Sequence, residues 1–176
     1  MVYYISYGVS TTPKIECINP SKNLWMVRWD YTEVENDEIK TDEPESEDEK
    51  VVNVKYGEAS FDHKPELLEI KDVVLKYYND LIDQDIYDFK WNGHNVYLSV
   101  ENQENFKAAY MFAKDTEGAS LPVTFKFGDQ YDPDYYQFNT VEELKEFYYA
   151  GYQHICNALM QGWMKKDSID WSEYEV

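Results

Sequence analysis

Apolar and polar positions alternate along Trp25 to Tyr31, a period of two that marks a strand. Trp25, Val27, Trp29 and Tyr31 share one face, and Met26, Arg28 and Asp30 share the other. The alternation resumes at Val52, Val54 and Tyr56, with Asn53 and Lys55 opposite. The two segments read as a long antiparallel pair. VYYISY at 2–7 is β-branched and aromatic and reads as a further strand, as does the shorter KIECI at 14–18.

From residue 65 the period changes to that of a helix. Pro65 suits a first turn, Glu66 and Glu69 suit its positive end, and Leu67, Ile70, Val74, Tyr77 and Leu81 form one stripe. The pattern predicts a helix over about 65–83. Phe89 to Leu98 reads as a hairpin turning at Asn92-Gly93. Ser99 caps a second expected helix, about 100–116, with Phe106, Ala109, Tyr110 and Ala113 buried and Gly118 as its stop. Strands follow at 121–127 and 135–138, joined by GDQYDPD. Thr140 and Glu143 then form a capping-box pattern before a third helix, about 141–165. Its repeating Leu144, Tyr148, Tyr152, Ile155, Leu159 and Trp163 predict the face that packs on the sheet.

These elements define an α+β class, mainly antiparallel sheet and hairpins packed with three helices. A β-rich part is expected over 1–62 and an α+β part over 63–176, together forming one continuous structural unit. The stretch joining the first strand pair, 33–50, reads EVENDEIKTDEPESEDEK, ten acidic residues against two lysines. It is too long for an ordinary hairpin loop and has no apolar periodicity, so it reads as a solvated, solubilising loop.

Charge then restricts the partners. The 176 residues carry a formal net charge of -19, of which the acidic run supplies only -8, so acidity belongs to the whole surface. Direct binding to nucleic acid or an anionic membrane is disfavoured, since each needs a basic face. The opening residues lack a signal-peptide pattern and no segment is apolar enough to span a bilayer, which predicts a soluble protein. Cys17 and Cys156 show neither disulfide-framework nor metal spacing and are expected as free thiols.

Candidate chemistry is sparse. There is no G-x-S-x-G elbow and no clustered glycine loop for phosphate. His63, His94 and His154 fall in a turn, a hairpin and a helix, and His154 and Cys156 are spaced to point apart. No catalytic or cofactor-binding residue is therefore assigned, and no cofactor. The one metal candidate is a calcium site at Asp129, Asp132 and Asp134 around Pro133, although the calcium-loop pattern of an EF-hand is missing. The aromatic surplus, 17 tyrosines and 5 tryptophans, suits a protein interface. Tyr3, Tyr4, Tyr7, Trp25 and Trp29 are the candidate partner-binding residues, with VYYISY free to extend a partner's sheet.

The succession NLWMVRWD, FDHKPELLEIKDVVLKYYND, KWNGHNVYLSVENQENFKAAYMFA, LPVTFKFG and GWMKKDSIDWSEYEV resembles a domain family of unknown function. That family is encoded by phages and prophages of gut bacteria, often beside tail or tail-fibre genes. The likeness covers about residues 23–176; the acidic run and the first twenty residues lie outside its pattern. It carries over no catalytic or binding residue. What it implies is a phage setting and, by gene neighbourhood, a virion or assembly role. With the missing catalytic constellation and the aromatic surplus, the expectation is a non-enzymatic structural or assembly protein, tail or tail-fibre associated, in the virion and in the host cytoplasm during assembly, with other phage virion proteins as partners. Self-association into a homo-oligomer stays open. A rival reading takes the acidity as DNA mimicry that inhibits a host defence or DNA-binding protein, and a third takes a carboxylate pair as a glycosidase centre.

Overall fold

The computed structural model describes residues 2–34, 52–129 and 131–175. The acidic run beyond Val34 lies outside these residues. Eight strands and three α-helices are formed among the described residues, in the α+β arrangement that the patterning predicts. Contacts divide the chain into two compact units, Met1–Tyr78 with Ser168–Val176, and Asn79–Asp167. The boundary read from the sequence, at 62/63, sits where the large sheet ends. The observed division instead falls inside the first helix and assigns the C-terminal turn to the first unit.

The first unit is built on a four-stranded antiparallel sheet in the order β1-β4-β3-β2, from β1 (Tyr4–Val9), β2 (Ile15–Asn19), β3 (Leu24–Glu33) and β4 (Asn53–Phe61). The expected long pair is β3 with β4, in which Trp25, Val27 and Trp29 face Phe61, Ala59 and Gly57. This face meets the first half of α1 (Leu67–Tyr87), where Ile70, Val73, Val74 and Tyr77 are buried. The Trp29 and Tyr77 rings meet edge to face at 5.9 Å. Gly57 is required there, because a Cβ would come within 2.4 Å of the Trp29 indole nitrogen.

One expectation about β3 fails at its end. Tyr31 does not continue the Trp25, Val27, Trp29 face, because the register shifts between Trp29 and Thr32. Two residues, Asp30 and Tyr31, stand where β4 offers Tyr56 alone, which is a β-bulge. Asp30 takes a left-handed φ of 58°, and Tyr31 turns to the opposite face, where its ring meets Tyr56 at 5.1 Å. That second face is polar but covered. Arg28, 7% exposed, is held by the Pro13 carbonyl at 2.8 Å, by Glu16 at 3.2 Å and by Glu58 at 3.4 Å. A buried guanidinium is tolerated only with such partners.

The second unit contains two hairpins, β5 (Phe89–Trp91) with β6 (His94–Val96) and β7 (Val123–Gly128) with β8 (Pro133–Phe138). They accompany the rest of α1, α2 (Val100–Asp115) and α3 (Val141–Asp167). The first turn uses Asn92-Gly93, both at positive φ, as the sequence predicts. An aromatic core surrounds Phe147, whose ring lies 4.9 Å from both Phe106 and Phe138 and 5.6 Å from Phe127. Ser99 caps α2 through the Asn102 amide, as expected.

The helix starts refine two readings. At α3, Thr140 accepts the Glu143 amide at 3.2 Å, but the Glu143 carboxylate accepts from the Asn139 amide and the Tyr136 hydroxyl rather than closing on Thr140. At α1, Glu69 reaches back to the Glu66 amide at 2.9 Å, the reciprocal half of a cap that the sequence reading assigned to the dipole alone. The expected stripe of α3 holds in part: Leu144 is buried and Tyr148, Ile155 and Leu159 pack half-buried against the core, but Tyr152 and Trp163 do not. Leu144, Phe147, Gly151, Ala158 and Gly162 are buried, while Tyr152 and Trp163 are exposed. At Gly162 the close approach of α1 demands the small residue: a Cβ there would lie 2.1 Å from Ile82 Cγ1.

Candidate functional site

The proposed partner-binding residues separate into three environments. Trp29 is 1% exposed and Trp25 is half-buried, and both belong to the face covered by α1. Trp29 is a correction: its aromatic surface is already used inside the fold, so it is not available to anchor a partner. Tyr3 is half-buried against Trp29 and Tyr77, at 6.4 and 5.4 Å. Tyr4 and Tyr7 remain on the surface, together with Val2 and Ile5, and the four are 42–67% exposed.

Their position matters more than their number. β1 is an edge strand, paired with β4 from Tyr4↔Glu58 to Val9↔Asn53, and no described strand pairs its other side. Its sequence, YISYGV, has neither the charge nor the proline that usually blunts an open edge. β2, the opposite edge, is short, carries Glu16 bound to Arg28, and has a register shift between Cys17 and Asn19. The sheet therefore protects one edge and leaves the other open. β1 offers a row of backbone donors and acceptors flanked by apolar side chains, the geometry of strand addition.

At the β3 bulge the first unit has a cleft of about 540 Å³ that the sequence does not foretell. Asp30 and Tyr31 of the bulge, Thr12 and Lys14 of the β1–β2 turn, Tyr78, and Glu173 and Tyr174 of the final turn line it. The bulge aims Asp30 at α1, where its Oδ2 accepts the Tyr77 hydroxyl at 2.6 Å. Tyr31 donates to the Thr12 carbonyl at 3.0 Å, and Tyr174 to the Arg28 carbonyl at 3.2 Å. Burial pushes the Tyr31 phenol up to about 12 and raises Tyr77, Tyr78 and Tyr174 further, with the Asp30 carboxylate adding to the shift at Tyr77 and Tyr78. Lys14 is bound to Glu173 and lies over the Tyr174 ring. With Asp30, Asp170 and Glu173 against one lysine, the cleft repels anions, and neither histidine nor cysteine is among its lining residues. The signal in the sequence was an aspartate, a poor strand former, inside an aromatic strand.

The other candidates do not converge. Asp129 accepts the backbone amides of Asp132 and Tyr131, which hold its carboxyl below the usual range, and Asp134 binds His94. The Asp129 and Asp134 carboxylates are thus turned to separate partners, Asp132 contributes only its backbone amide to the turn, and no group of three or more metal-ligating side chains occurs among the described residues. His63 lies between Asp62 at 2.9 Å and Glu69 at 3.0 Å, and these hydrogen bonds raise its pKa above the ordinary imidazole value. His154 contacts the Asp85 carbonyl at 2.7 Å. Cys17 and Cys156 are free. No described helix is long and apolar enough to cross a membrane.

The fold and its surface therefore define an α+β protein of two compact units, in the first of which β1 lies at an edge that no described strand pairs. Comparison with known proteins returns no matching family model, no matching curated protein and no matching solved structure.

Proposed function

We propose that this chain is a non-enzymatic bacteriophage structural or assembly protein that attaches to another virion protein, tail or tail-fibre associated, through the open edge of β1. The observation that carries the attachment is the unpaired edge with Val2, Tyr4, Ile5 and Tyr7 exposed beside it. Main-chain hydrogen bonds supply affinity in strand addition, and alternate side chains supply selectivity. The phage setting rests on the resemblance in motif order from NLWMVRWD to KDSIDW. A net charge of -19 favours a partner whose docking strand is flanked by basic residues.

Two measurements test this. Mass spectrometry of purified particles of the encoding phage should find peptides of this chain. Immobilised protein should capture a virion component, and the pair Tyr4→Lys and Tyr7→Lys should weaken that capture at least about tenfold, since like charge opposes a basic strand. Absence from particles together with no captured component would overturn the reading.

A further inference from the structure

The solvent face of α3 carries a second apolar stripe, opposite the face buried in the second unit. Tyr149, Tyr152, Met160, Trp163 and Met164 are each 52–67% exposed, and Cys156 is exposed at the centre. At 100° per residue, Tyr149, Tyr152, Cys156, Met160 and Trp163 lie within about one third of the helix circumference. The buried residues Phe147, Gly151, Ala158 and Gly162 lie on the other side. A helix apolar on two faces has one face left to cover.

The geometry points to a second copy of this chain as the cover, with the two α3 helices antiparallel about a twofold axis at Cys156. The stripe is self-complementary only in that direction. Around residue 156, Tyr152 stands opposite Met160 and Tyr149 opposite Trp163, while the small Cys156 meets its own copy and lets the helix axes approach. One step further out, Lys145 stands opposite Asp167. A parallel pair would place Lys145 against Lys145 and Asp167 against Asp167, so the end charges select the antiparallel arrangement. Lys145 already holds Glu142 at 3.0 Å, and adding Asp167 completes a small ionic cluster at each end. The five large side chains expose roughly 600 Å² per copy, so covering them completely in two copies buries at most about 1,200 Å² through these residues, the lower bound of a specific interface. The contact is therefore modest in affinity, and because each copy carries -19 it tightens as salt rises.

The experiment is independent of the β1 edge. Sedimentation equilibrium of the purified chain should show a monomer–dimer equilibrium in the micromolar range, weakened at least about tenfold by Met160→Glu, which brings charge into the desolvated stripe. Met160 is exposed in the monomer, so thermal unfolding of that variant at low concentration should match the parent. A short bis-maleimide should link two chains through Cys156, with the product lost in Cys156→Ser and kept in Cys17→Ser. Orientation is read by mixing Lys145→Cys and Asp167→Cys, each in a background without Cys17 and Cys156. Links should form between the two variants and not within either. A monomer at all concentrations, a dimer indifferent to Met160→Glu, or links between like variants would overturn the proposal. So would a chain that stays monomeric and uses the stripe to bind a different protein.

Discussion

Asp30 shows how much one residue can organise. Its φ of 58° is accessible to aspartate at lower cost than to a β-branched residue, and the bulge it makes reverses the faces of two neighbouring side chains. Asp30→Ala removes the acceptor of the Tyr77 hydroxyl and raises the backbone cost, so urea unfolding should show a loss of about 2–3 kcal/mol. Asp30→Asn keeps an acceptor and tolerates the angle, and should lose only about 1 kcal/mol. The tyrosines around it give a pH signature. Their folded pKa values stand above the unfolded value of about 10, so this part of the stability is complete below pH 10. It is lost as pH rises through the folded values, about 12 for Tyr31. Tyrosinate absorbance should therefore rise in two stages, exposed phenols first and the buried group together with loss of folded circular dichroism. A single early transition covering all tyrosines would contradict the buried cluster. His63 has the same sign at lower pH: its contribution is present below about 6.5 and fades as pH rises through its raised folded value.

Among the elements, α3 separates propensity from packing. Gly162→Ala gains about 1 kcal/mol of helix propensity, but the new methyl lies 2.1 Å from Ile82 Cγ1, in the middle of that side chain rather than at its end. Overpacking should win, with a net loss of about 1–2 kcal/mol in thermal or urea unfolding. Gly151→Ala meets nothing nearer than 3.7 Å and should instead be neutral or stabilising by up to about 1 kcal/mol. If both alanines behave alike, close helix packing at Gly162 is not what keeps the glycine. The same helix shows why the sequence misled. Tyr152 and Trp163 recur at a helical period and look like core, yet period alone marks a stripe without saying which stripe faces inward. Gly151, Ala158 and Gly162 carry a weaker hydrophobic signal yet lie on the inner face beside Leu144 and Phe147, and at Gly162 the close approach of Ile82 leaves no room for a side chain. At β1 the reading was sounder: VYYISY was legible as a strand, but its status as an open edge depends on β4 pairing it on one side only.

For the whole molecule, charge is the controlling quantity. Removing the acidic run's -8 from -19 leaves -11, so self-repulsion does not reside in one segment. Screening should raise the melting temperature between low and physiological salt, read by scanning fluorimetry, and a steady fall over that range would show that attractive pairs such as Arg28 with Glu16 and Glu58 dominate instead. The same surface charge predicts no gel shift of duplex DNA at physiological salt. The division into two units was not legible, because α1 is one uninterrupted helical pattern and nothing in its sequence marks Tyr78 as the point where contacts change sides.

The sequence by itself determined what depends on neighbours along the chain: the α+β class, the strand and helix periods, the Asn92-Gly93 turn, the Ser99 cap and the acidity of the surface. Tertiary structure alone decided the bulge at Asp30, the cleft beside it, the inner face of α3 and which strand lies open at the edge. Each of these depends on residues distant in sequence competing for the same space: Gly57 under Trp29, Ile82 against Gly162, Tyr77 reaching Asp30. The EVENDEIKTDEPESEDEK segment enters through its charge, -8 of the -19, which is fixed by composition alone.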